Sequence, residues 1–177
     1  MKFILTGFIC LLLITPHTSA QTNSDQDASA SVRSFVQDFY NWYIPLAMRR
    51  NSKPDYSIAI WMKPKLFSPE LVHKLHEDAK AQAKADEIVG LDFDPFLASQ
   101  YPDENYKIGI INKKNDSYWV DIDYAPPEEK VALALTAEVR QQDGQWYFND
   151  FRYPDGQTLL QLLQTLKKER EKLAAHK

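Results

Sequence analysis

The chain has 177 residues, with 21 Lys and Arg against 24 Asp and Glu, so its formal charge is −3. A mildly acidic chain lacks the basic patch that nucleic acid or anionic lipid requires. Its one cysteine, Cys10, lies in an apolar leader, so the body of the chain has no thiol and no disulfide framework is expected.

The leader reads as a secretory signal peptide. Lys2 supplies the positive end, Phe3 to Ile14 is almost unbroken apolar sequence, and Thr18-Ser19-Ala20 offers small residues for cleavage before Gln21. The apolar run is shorter than the ~20 residues that a membrane helix needs, and no later segment approaches it. The sequence therefore predicts a periplasmic or secreted protein cleaved after Ala20, with no membrane span. Gly7-Phe8-Ile9 before Cys10 does not fit a lipoprotein processing box. Residues 21–30 are polar and free of aromatics, which predicts a disordered lead-in. Residues 31–177 read as a single domain, because no repeat or second linker divides them.

In that domain a first helix is expected from Ser31 as N-cap, with Val32, Phe35, Val36 and Phe39 on one stripe. Pro45 should end or kink it. Ile58 to Met62 is short and apolar and fits either state. A second helix starts at Ser68-Pro69-Glu70, where cap, first-turn proline and acid meet the helix dipole, and Gly90 is its expected terminator. Its buried side is Leu71, Val72, Leu75, Ala79 and Ala83.

Past Asp94 the apolar period changes to two. Tyr106–Asn112, Ser117–Tyr124, Val131–Gln141 and Gln145–Tyr153 read as strands. Asn115-Asp116 and Asp143-Gly144 mark hairpin turns, so the strands form an antiparallel meander. Val131, Leu133, Leu135, Ala137 and Val139 share a face that should be buried. A last helix runs from Thr158 through Leu159, Leu160, Leu162, Leu163 and Leu166, with a polar tail from Lys167. The predicted fold class is α+β: N-terminal helices on a curved four-stranded antiparallel sheet, plus a C-terminal helix. Such a sheet bent over a helix leaves a cone with a pocket.

Asp94-Pro95-Phe96-Leu97 is followed by Ser99-Gln100-Tyr101-Pro102-Asp103. With Phe39-Tyr40-Asn41-Trp42-Tyr43, Val139 and Gly144-Gln145-Trp146-Tyr147, it resembles the domain of unknown function 3828 family over about Val32 to Leu163. Gln100 is followed by Tyr101 where that pattern has an acid, so the turn implies no shared acidic site. The resemblance implies exported or lipoprotein-anchored bacterial proteins near the nuclear transport factor 2-like (cystatin-like) cone superfamily. It implies no established activity.

Carboxylates form the most suggestive cluster. Alternation puts Trp119, Asp121 and Asp123 on one strand face, and Asp92 and Asp94 sit in the turn leading to the sheet. Together they suit calcium or an acid/base pair, although turn acids also bond local backbone and strand acids face water. His73, His76 and Glu77 have zinc-compatible spacing but make only a partial site, and a surface His73–Glu77 pair accounts for them. In the last strand Trp146 and Phe148 should face one way and Tyr147, Phe151 and Tyr153 the other, so both sheet faces need cover. The sequence has no nucleophile elbow, paired-histidine metalloprotease helix or glycine-rich phosphate loop.

These features predict a non-enzymatic exported binding or interaction protein, with no cofactor and no metal. Its contact surface is expected at the sheet face and cone mouth, centred on Trp119, Asp121, Asp123 and Trp146. The occupant is a protein partner, a small ligand or a second copy of the chain. Two alternatives stand beside it: an immunity protein against a periplasm-targeted toxin, and a small enzyme with an Asp general base in the cone pocket.

Overall fold

The computed structural model describes residues 19–49 and 56–175, with side chains from residue 26 onward. The predicted leader before Ser19, Cys10 and His176 lie outside them. Among the described residues, four helices and a four-stranded antiparallel sheet form an α+β fold. In chain order they are α1 (Ser19–Ala47), α2 (Tyr56–Met62), a 3-10 turn (Pro64–Leu66), α3 (Pro69–Gln82), β1 (Tyr106–Lys114), β2 (Ser117–Tyr124), β3 (Ala132–Gln142), β4 (Gln145–Arg152) and α4 (Leu159–Ala175). The sheet order is β1-β2-β3-β4, an uninterrupted meander.

α1 starts earlier than its composition suggests: the expected lead-in, residues 21–30, is helical. Ala28 packs against the core, and Ser31 spends its hydroxyl on the Trp146 indole N–H at 2.9 Å instead of capping a helix. A polar segment that continues an anchored helix bears no nucleation cost of its own. Pro45 lies inside the last turn, where the Met48 N–H still reaches the Ile44 carbonyl at 3.0 Å. The apolar stripe of α1 crosses the sheet's inner face. Val32, Val36, Phe39, Tyr40 and Tyr43 are all at most 1% exposed. The Phe39 ring centroid lies 4.8 Å from Phe148, 5.2 Å from Tyr43 and 5.6 Å from Phe67. Aromatic packing of this kind fills the concavity that was expected to remain open as a pocket.

α3 begins as predicted, but it ends at Gln82 and not at Gly90. Gly90 instead packs on Asp78, whose Oδ2 would lie 2.7 Å from a Cβ placed there. The Ser68 hydroxyl accepts the Leu71 N–H at 3.2 Å and donates to the Asn149 carbonyl at 3.3 Å. It therefore caps α3 and fastens it to β4. Ser68→Ala should destabilise the fold by about 1–2 kcal/mol, read as a lower urea midpoint with an unchanged slope.

Three bulges curve the sheet: between Ile108 and Ile111, between Ile122 and Asp123, and between Glu138 and Val139. The last makes Asn149 an extra residue, since Val139 pairs with Phe148 but Glu138 pairs with Asp150. That extra residue returns Phe151 to the inner face. Phe148 and Phe151 are both fully buried and stack at 5.2 Å, whereas strict alternation placed them on opposite faces. On β3 the expected buried face is buried only from Leu135 to Val139, while Leu133 is 42% and Val131 64% exposed.

Both sheet edges are occupied. Arg33 of α1 donates to the Ile108 and Gly109 carbonyls of β1 at 3.1 and 2.8 Å. The Ser68 N–H bonds the Phe148 carbonyl of β4 at 2.8 Å. α4 is seated by Asp150, which is 8% exposed and whose Oδ1 accepts the Leu160 N–H at 3.1 Å.

Candidate functional site

Among the six sequence-predicted residues, Trp119, Asp121 and Asp123 do share the outer face of β2. Two of the three have internal partners. Arg152 stacks 4.0 Å above the Trp119 ring, and the Thr136 hydroxyl donates to Asp121 at 2.9 Å. Asp123 lies against Gly109, where a Cβ would collide with its carboxylate. Burial, and after it the charge of Asp121, pushes the Asp123 carboxyl above the ordinary range. Beside them Glu138 accepts from Ser117, Arg140 and Asn149 at 2.7, 2.7 and 2.8 Å. Burial pushes Glu138 up, but those bonds outweigh it and hold the carboxyl below the ordinary range.

Trp146 is on the opposite, inner face. It meets Tyr118 edge-on at 5.4 Å and donates to Ser31. Asp92 is at the surface, where Gln100 bonds it at 3.2 Å. Asp94 is fully buried. Its Oδ1 accepts the Phe96 and Leu97 N–H groups at 2.9 and 3.2 Å, and its Oδ2 accepts the Tyr43 hydroxyl at 2.6 Å. Burial raises the Asp94 carboxyl to about 6, against the lowering effect of those three donors. Asp92 and Asp94 thus lie apart from each other and from the Asp121–Asp123 pair, and the four do not converge. The His73–Glu77 pair forms as expected, at 3.7 Å on an exposed turn.

A wide, open concavity lies where the sequence pointed only in general terms, at the open end of the sheet. In an antiparallel meander β1 starts, β2 ends, β3 starts and β4 ends at the same edge. Each contributes there: Tyr106, Tyr124, Leu133 and Tyr153. The loop before β1 closes the other side with Phe93 and Leu97, leaving a cleft of about 750 Å³. Asp94 shapes that loop. Its N–H bonds the Ser99 carbonyl at 2.8 Å, and Ala98 between them takes a left-handed φ of 51°. Such a conformation costs a non-glycine residue about 1–2 kcal/mol and is held by its surroundings.

Three of the cleft's four phenols are already engaged. Tyr124 donates to Asp103 at 2.6 Å, Tyr153 donates to the Pro95 carbonyl at 3.2 Å, and Tyr106 bonds Ser99. Burial raises the Tyr106 hydroxyl to about 12, with Asp103 and Asp94 adding to the rise. Burial likewise pushes Tyr153 well up, aided by Asp94, Asp150 and Asp155. The bond to Asp103 raises Tyr124, followed by burial and the charges of Asp103 and Glu129. Asp103 itself is pushed up by burial, but the Tyr124 hydroxyl and Asn105 hold it below the ordinary range.

No helix among the described residues is long and apolar enough to cross a membrane. No protein family, curated protein or solved structure matches the chain.

Proposed function

We propose that the protein is an exported, periplasmic, non-enzymatic binding protein of the nuclear transport factor 2-like kind, whose ligand seats in the tyrosine-walled cleft at the mouth of its sheet. The observation that carries this reading is the cleft itself. About 750 Å³ is the size of a small-molecule site, and its walls are mostly apolar, with Phe93 and four tyrosines among them. Tyr101 at its rim is 88% exposed, and Leu133 in its wall leaves 42% of its surface to water. Exposed apolar side chains gathered around a concavity mark a contact surface. On the outer face of β2, by contrast, Trp119 and Asp121 are already spent on internal partners. The leader with its Thr18-Ser19-Ala20 end supports export.

A small-molecule library screened by protein NMR tests the reading. Ligands should perturb Tyr106, Tyr124 and Tyr153, and Tyr101→Ser should weaken them about threefold or more while leaving the fold intact. Perturbations confined to Trp119 would move the site to the outer face, and a library with no binder would remove the cleft as a site.

A further inference from the structure

Resting on the cleft as the binding site, we propose that its ligand is an organic cation, an alkylated or quaternary ammonium carried on an apolar stem. Aromatic rings and acids converge at this one concavity. Phe93, Tyr101, Tyr106, Tyr124 and Tyr153 line it, and Asp155 lies on its wall. Asp103 is bonded to Tyr124 at the same edge, and Glu129 acts on that phenol from the β2–β3 connection. Among the lining residues there is no Lys or Arg. Arg152, the residue before Tyr153, is drawn away to the Trp119 ring on the outer face.

The charges that raise these three phenols come from acids: Asp103 and Asp94 on Tyr106, Asp103 and Glu129 on Tyr124, and Asp94, Asp150 and Asp155 on Tyr153. A cation entering this field is attracted by the acids and by the ring quadrupoles together. A sugar or other neutral polyol is disfavoured by the same inventory. Its hydroxyls need directional partners, but the phenols of Tyr124 and Tyr153 already donate to Asp103 and Pro95. A carboxylate or phosphate would meet only like charge.

Three probes of one shape and different charge separate the cases: choline, its carbon isostere neohexanol, and tert-butylacetate. Each is titrated into the purified protein while the NMR signals of Tyr106, Tyr124 and Tyr153 are followed. Choline should bind about tenfold tighter than neohexanol, and tert-butylacetate should be the weakest. Asp155→Asn, which keeps an acceptor for the Gln157 N–H that Asp155 now bonds at 2.9 Å, should weaken choline about threefold without moving neohexanol. Equal affinity for choline and neohexanol, or tightest binding of tert-butylacetate, would overturn the cation and leave the cleft as the site. No movement of the three tyrosines with any probe would overturn both.

Discussion

Asp78→Ala is expected to cost about 3–5 kcal/mol of folding stability, read as a large drop in urea midpoint. Asp78 is fully buried on α3 and each of its oxygens is used. Oδ1 accepts Arg170 of α4 at 2.6 Å, and Oδ2 accepts the Leu91 N–H at 2.9 Å and the Tyr56 hydroxyl at 3.2 Å. Removing the carboxylate leaves a guanidinium with 17% exposure and a buried N–H without this acceptor. That loss, not the attraction in the pair, sets the size of the effect. Arg170→Ala strands the carboxylate instead and should be similarly costly. The double substitution should therefore cost clearly less than the two single losses added together. Simple additivity would mean that the two groups act independently and would contradict the pairing.

That pair also shows where sequence reasoning stops. The tail from Lys167 reads only as polar, yet its start continues a seam that begins at Gln164. Lys74 meets Gln164 at 3.0 Å, Lys167 meets Glu77 at 3.2 Å, and Arg170 meets Asp78 at 2.6 Å. Helical spacing tells which residues share a face but not which helix that face will find. The strands were legible because a period of two is local, and so was the grouping of Trp119 with Asp121 and Asp123. Phe151 was misassigned because one extra residue, Asn149, resets the alternation without any mark in composition, whereas Trp146 lies before that bulge and was grouped with Trp119 although it shares the inner face with Phe148. The mouth was readable in part. Hairpin turns at Asn115-Asp116 and Asp143-Gly144 imply that Tyr106, Tyr124 and Tyr153 end at the same edge. The loop that closes the cleft was not, because its path depends on a carboxylate being buried at Asp94.

Asp94 makes the second prediction, and its sign runs opposite to ordinary acid denaturation. Burial holds its carboxyl at about 6 in the folded protein, above the ordinary 3.8. Between these values the folded state keeps a proton that the unfolded state has released. The stability linked to that proton is fully present below the unfolded value and is lost as pH rises through about 6. Asp123 and Asp150, raised by burial, act in the same direction, whereas Glu77, Asp103 and Glu138, all lowered, act in the opposite one. The wild-type profile is thus a sum, and only a difference isolates Asp94. Asp94→Asn keeps an oxygen for the Phe96 and Leu97 N–H groups and removes the titration. Relative to wild type, the variant should gain about 2 kcal/mol on going from about pH 4.5 to about pH 7.5, measured by urea unfolding at each pH. A difference that stays flat across this range would show that Asp94 does not titrate there. Asp94→Ala should instead be destabilised by about 3–5 kcal/mol at either pH, because it strips the acceptor from two buried N–H groups and from Tyr43. The loop carrying Ala98 loses its anchor with them, so ligand binding at the cleft should fail in Asp94→Ala and survive in Asp94→Asn.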